Sequence, residues 1–222
     1  MTSNVTRISL FDNKFNGLPF DEPPESIDVV IVGVAPASRI YYSGDYSPSN
    51  VQPPTCWSAD AIIPDSEVLE ENKQAPRCMD CPQNIRGSGG GVRRACSTVQ
   101  RVAVVLEGQL DTVYQLQLPA TSIFPDAVNG NMPMRAYGRF LQEYKTPPMA
   151  LITNIRFDPD SSYAKLFFRS VRPLEEHEVE AVNKTMEHPD VRLAITAKAL
   201  MTNEAMASPF GVVDGFVFNE NE

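Results

Sequence analysis

The stretch Val113-Tyr114-Gln115-Leu116-Gln117-Leu118 alternates strictly between two sets of side chains, and Val99 to Leu106 upstream of it is rich in β-branched residues. A period of two is the pattern of a half-buried strand, so the pair predicts a hairpin turning around Gly108 to Thr112. The same plan recurs at Met149 to Phe157 and Tyr163 to Val171, across Asp158-Pro159-Asp160-Ser161-Ser162, which is favourable turn chemistry. Further upstream, Ile27 to Ala35 is a continuous apolar run that predicts a buried strand, with Arg39-Ile40-Tyr41-Tyr42 as its hairpin partner around Pro36. Helices are expected over Pro133 to Lys145, Leu174 to Glu187, and Asp190 to about Met201. Strand pairs joined by short turns imply an α+β fold: a mainly antiparallel β-sheet with helices packed on it. Five or six strands with an interrupting helix also fit an OB-like barrel.

Two segments fall outside this regular pattern. The first 26 residues are polar and end in Asp21-Glu22-Pro23-Pro24-Glu25, which reads as an N-terminal arm. Residues 203–222 read as an irregular acidic C-terminal tail, finishing Phe216-Val217-Phe218-Asn219-Glu220-Asn221-Glu222. The rest reads as one domain spanning 1–222. No apolar run reaches bilayer length, and no signal peptide is evident at Met1 to Arg7, so a cytoplasmic location is expected.

From Ser43 to Val99 prolines break any periodicity, and a loop that long needs a staple. All four cysteines lie there: Cys56, the pair Cys78-Met79-Asp80-Cys81, and Cys96. A C-x-x-C turn aims two thiolates at one ion, and two further sulfurs complete the tetrahedron of a structural zinc site. Free buried thiols, disulfides or an iron–sulfur cluster are the alternatives.

Net charge is −9, against bulk attraction to duplex DNA. Its distribution is uneven. Residues 73–101 carry six basic groups (Lys73, Arg77, Arg86, Arg93, Arg94, Arg101) against Asp80 alone, and residues 135–172 carry seven against three. Both ends of the chain are acidic. Catalytic signatures are missing: no G-x-S-x-G, no H-E-x-x-H and no G-x-x-x-x-G-K-[ST]. His177 and His188 sit on an acidic helix, and Gly87-Ser88-Gly89-Gly90-Gly91 lacks the lysine and hydroxyl of a phosphate loop. The chain reads as a non-enzyme, a nuclease being the weaker alternative.

Cations interleaved with aromatics suit single strands, which offer phosphates and unstacked bases together. Arg135, Tyr137, Arg139, Phe140 and Tyr144 do this on the predicted helix; Arg156, Phe157, Tyr163, Lys165, Phe167 and Arg169 do it on the hairpin. Alternation places Lys165, Phe167 and Arg169 on one face of their strand and Leu166, Phe168 and Ser170 on the other. The competing reading makes the aromatics core and the charges solvated surface.

The segment Lys73 to Cys96, with C-x-x-C-P-x-N, then Gly87-Ser88, then basic residues before Cys96, carries a resemblance. So do Ile152-Thr153-Asn154-Ile155-Arg156-Phe157-Asp158 and Lys165-Leu166-Phe167-Phe168. Over roughly residues 50–190 the chain resembles small phage-encoded single-stranded DNA-binding proteins, in particular the RNA polymerase cofactors of N-four-like bacterial viruses. The resemblance implies preference for single-stranded DNA and action at unwound promoters in the host cytoplasm, where the phage RNA polymerase is recruited. On this expectation Arg86, Arg93, Arg94 and Arg101 neutralise phosphates, Tyr137, Phe157, Tyr163 or Phe167 stack bases, and the acidic C-terminus engages the polymerase. The rival expectation is a zinc-stabilised protein–protein interaction module that binds no nucleic acid.

Overall fold

The computed structural model describes residues 5–44 and 53–196. The described residues fall into two compact units, 5–35 with 100–196, and 36–44 with 53–99. The strands are β1 (Thr6–Phe11), β2 (Lys14–Asn16), β3 (Ser26–Tyr41), β4 (Cys56–Ser58), β5 (Cys96–Leu106), β6 (Gln109–Pro119), β7 (Leu151–Phe157) and β8 (Leu166–Pro173). The helices are α1 (Met134–Glu143), α2 (Glu176–Met186) and α3 (Pro189–Ile195). The sheet order is β2-β1-β6-β5-β3-β7-β8, with β4 pairing β3 off that path. β1 runs parallel to β6, with Ile8 opposite Leu116. The pairings of β1 with β2, β3 with β4, β3 with β7 and β7 with β8 are antiparallel. The fold is α+β on a mainly antiparallel sheet.

In the first unit, apolar residues of both parities on the central strands are buried, so both sheet faces carry a core. One face holds Val29, Ile31, Val102, Val104, Leu116, Leu118, Ile155 and Phe168, closed by Tyr137 and Leu141 of α1. The other holds Val30, Val32, Ala103, Val105, Val113 and Ile152, closed by Val182 of α2 and by Val191 and Ala194 of α3. That is why Ile27 to Ala35 reads as a continuous run: a strand covered on both sides has no polar side to show. Gly33 lets α3 lie close, since a Cβ there would stand 3.2 Å from Val191 and 3.3 Å from Ala103 and Ile195.

Four elements differ from the sequence reading. Residues 6–16, expected in an irregular arm, form β1 and β2 and bury Ile8, Leu10 and Phe15. Asp12 and Asn13 take the two positive φ values, 53° and 52°, that a tight hairpin turn requires. Arg39 to Tyr41 do not turn back on the preceding strand: they continue β3, and their antiparallel partner is β4. The β5–β6 turn is the two residues Glu107–Gly108, with Gly108 at φ 80°, so the strand begins earlier than expected. The third helix stops at Ile195, and residues 203–222 lie outside the described residues.

Several polar links tie helices to the sheet. The Tyr137 hydroxyl and the Thr153 hydroxyl lie 2.8 Å apart, both buried. Burial pushes the Tyr137 phenol up, and Thr153 opposes that shift. Arg172 of β8 forks onto Glu178 of α2 at 2.7 and 2.8 Å and also donates to Glu107 at 2.6 Å. Glu178 further accepts the backbone N–H of Glu175, closing the α2 capping box.

Tyr137→Phe and Thr153→Val should each cost about 1–2 kcal/mol by leaving one buried hydroxyl unpartnered, while the double variant costs less than their sum. Urea unfolding of the four proteins checks this, and strict additivity would remove the bond from the account. Arg172 first, then the Glu175 N–H, holds the Glu178 carboxyl down at about 2 against an ordinary 4.5. A depressed carboxylate stabilises fully above its unfolded value, and that stabilisation is lost as pH falls through the folded one. The urea midpoint of Glu178→Gln should therefore trail wild type at pH 7, with the gap closing between about pH 4.5 and pH 2. A gap that does not change with pH would contradict the assignment.

Candidate nucleic-acid interface and cysteine cluster

In the first unit, the β7–β8 ladder sets Arg156 opposite Phe167 and Asn154 opposite Arg169. On the other side of β7, Asn154 faces Asp28 of β3 and donates to its carboxylate at 2.8 Å. Along this strip polar side chains replace the apolar ones that α2 and α3 cover elsewhere on the same face. Phe167 is 7% exposed, yet it belongs to neither apolar core. Cations cover it: the Arg156 guanidinium carbon stands 5.7 Å from the ring centroid, and the Lys165 ammonium 5.0 Å. Contacts of this kind are attractive but modest, worth about 0.5–1 kcal/mol near a surface.

Each cation has a local tether. Arg156 donates to the Asn131 side chain. Lys165 pairs with Asp158 at 2.7 Å across the hairpin mouth. Burial alone would raise the Asp158 carboxyl, but the Lys165 hydrogen bond and the Asp160 N–H outweigh it and the net shift is downward. Arg169 is exposed beside them, and Tyr163 is exposed in the hairpin loop.

The expected surface residues divide accordingly. Arg156, Lys165, Phe167 and Arg169 are brought together. Arg135 and Arg139 are exposed on α1, where Arg139 lies 3.4 Å from Asp126, and Tyr144 is 68% exposed at the end of that helix. Three expectations are corrected. Tyr137 stacks against Phe140 and Phe168 in the core, Phe157 packs on Phe15, and Arg101 is buried, so none of the three presents a surface for a base or phosphate as it stands. Phe157 falls on the inward row with Ile155, opposite to Arg156.

In the second unit, the four cysteines come together from three separate stretches of chain. Cys56 opens β4, Cys78 and Cys81 bracket a 3₁₀ turn, and Cys96 opens β5. Cys78, Cys81 and Cys96 are buried and Cys56 is partly buried; all four are free thiols. They line one cavity of about 20 Å³ with Arg39, Trp57 and Gln74 among its walls, room for a single water-sized body. Burial pushes the Cys96 thiol up to about 11, with Cys81 and Cys78 adding to it and Arg39 opposing. Cys56 is raised by burial and by the same two neighbours, against the Gln74 backbone N–H and Lys73. Uncharged, these thiols tolerate one another; as thiolates they would repel unless a cation joined them. Among the described residues, no group of three or more His, Cys, Asp or Glu side chains stands in an arrangement that could hold a metal ion.

Asn84, three residues after Cys81, organises the knuckle and was missed from sequence. Its amide donates to the Cys78 carbonyl at 2.9 Å, and its oxygen accepts from Arg39 at 2.6 Å and Arg94 at 3.0 Å. The asparagine of C-P-x-N was the available signal. The Gly87–Gly91 loop is no phosphate cradle, because the N–H groups of Gly87 and Gly89 are both spent on the Arg93 carbonyl. Gly89 has no room for a side chain, since a Cβ would meet the backbone of Arg94 and Ala95 at 2.9 Å. This tight loop leaves Arg86, Arg93 and Arg94 exposed.

No helix among the described residues is long and apolar enough to cross a membrane. Set against protein-family models, curated proteins and solved structures, the chain matches none of them.

Proposed function

We propose that the protein binds single-stranded nucleic acid non-enzymatically, as a phage transcription or replication accessory factor, through the β7–β8 strip. The observation that carries this reading is Phe167, an aromatic outside both cores with the ends of Arg156 and Lys165 set over its ring. A strand laid across the strip exchanges partners. Phosphates draw off the two cations, and an unstacked base takes their place on the ring. Arg169 adds a third charge on the same row, and the surrounding acidity of a −9 chain disfavours coating of duplex by bulk attraction. Recruitment of a phage RNA polymerase by the acidic C-terminus belongs to the same reading and falls on residues outside those described.

For the second unit the reading is a structural zinc, around which Cys56, Cys78, Cys81 and Cys96 would have to draw in from an arrangement that holds no metal as it stands. Two features of the cavity fit such a group. Its volume suits one ion, and the Nε of Arg39, buried in its wall, has no hydrogen-bond partner. Four thiolates around a divalent ion leave net negative charge, which an adjacent guanidinium offsets. The apolar core of this unit is small: Ile40 packs with Val99, and Trp57 and Val68 are the other large buried side chains. Units so poorly supplied are commonly stapled by metal or disulfide. A second reading, a protein–protein module, draws on the exposed Ile62, Ile63, Leu69, Met79 and Ile85 of the same unit.

Fluorescence anisotropy with a labelled oligothymidine, repeated across salt, tests the strip. Three cations on phosphates predict a log–log salt slope near roughly −2, and Arg169→Gln should flatten it by about 0.7. Phe167→Ala should weaken binding by about 1–3 kcal/mol and leave the slope unchanged. Binding that ignores both substitutions would place the interface elsewhere, and no binding at micromolar protein would leave the interaction-module reading. For the staple, elemental analysis should find one zinc per chain. Uptake should release protons and tighten as pH rises, because the Cys96 thiol must ionise from about 11. Purified, fully reduced protein without stoichiometric metal would end that reading.

A further inference from the structure

Arg101 is the anomaly of the first unit. It is 2% exposed, and its Nε and one terminal nitrogen (Nη2) have no hydrogen-bond partner. Among the described residues no carboxylate pairs with it. Its electrostatic neighbour is a second cation, Arg7, and with burial as the larger cause its guanidinium is pushed down to about 10. Burying one unpaired charge is costly, and placing a like charge beside it adds to the cost.

The position of the pair is defined. Arg101 precedes Ala103 by two residues on β5, so it lies on the face that α2 and α3 cover. Arg7 of β1 sits opposite Gln115 of β6, two residues beyond Val113 of that same face. Gln115 gives its amide to the Ala194 carbonyl of α3 at 2.6 Å, and Gln117 leaves its buried carbonyl oxygen unpartnered. Neither amide therefore satisfies Arg101.

We propose that Arg101, with Arg7 beside it, anchors a buried oxyanion site on the β1–β6–β5 part of this face, taking a phosphate or carboxylate group. Arginine suits either, because its planar fork matches two oxygens at once. Inorganic phosphate is the simplest external group of that chemistry. The site stands on observations separate from those behind the β7–β8 strip, and it survives if that strip binds nothing.

Thermal unfolding of the full chain, followed by circular dichroism, tests it in phosphate and in chloride at matched pH and ionic strength. Saturating phosphate should raise the midpoint of wild type by about 5 °C, and Arg101→Met should abolish the response. Where Arg101→Met does not fold, Arg101→Lys takes its place: it keeps the charge but loses the fork, and its response should shrink. The proposal is overturned if wild type does not respond to phosphate, or if the Arg101 variants respond as fully as wild type.

Discussion

Burial of both faces of the central strands is the constraint on which the first unit depends. β3 and β5 carry apolar side chains on every successive position through their middles, so each face of the sheet needs a cover. α1 supplies one cover with Tyr137 and Leu141; α2 and α3 supply the other with Val182, Val191 and Ala194. At roughly 25 cal/mol per Å² of apolar area removed from water, two cores outweigh any single polar link in the unit. The cover runs out toward β8. There Asn154, Arg156 and Arg169 take the outward positions, and the sheet turns from core into surface within two strands.

The cysteine unit answers a different constraint. With little apolar material to bury, it closes its loops through polar side chains: Asn84 between Arg39, Arg94 and the Cys78 carbonyl, Ser88 between Gln83 and Ala95, and Asp60 on the N–H groups of Ile62 and Ile63. Hydrogen bonds of this kind each contribute about 1 kcal/mol net. They set the shape of the unit more than its stability, which throws weight on whatever the four sulfurs do.

Much of this was legible in the chain. Alternation gave β6, β7 and β8 as strands and the right faces on β8, though β6, expected half-buried, is buried on both sides; Pro133 and Pro147 bracketed α1 closely. The C-x-x-C spacing marked a cluster that the fold gathers around one cavity. What escaped were features that depend on partners distant in sequence. The alternating pair Ile8 and Leu10 lay in a polar context, and nothing local told that β6 would receive them. Arg101 looked like part of a basic surface because charge alone does not report parity; two residues upstream of Ala103, it faces inward. Tyr137 looked like a stacking platform until Phe168 claimed its ring. Asn84 was passed over because its work is done on a backbone carbonyl and two arginines, and the C-P-x-N spacing marks its position without naming those partners.

The parallel pairing of β1 with β6 also has a consequence in time. Ile8 is synthesised well before its partner Leu116, with all four cysteines between them in the chain. Until that partner is made, Ile8, Leu10 and Phe15 have no sheet to bury against. Contacts this distant in sequence slow folding, because a long loop must close before any of the pairing is gained. A nascent chain in this state exposes an apolar hairpin whose β6-facing edge is open, a form that invites chaperones or premature association. The first strand of the first unit thus waits for a neighbour made much later, and its packing lags its synthesis.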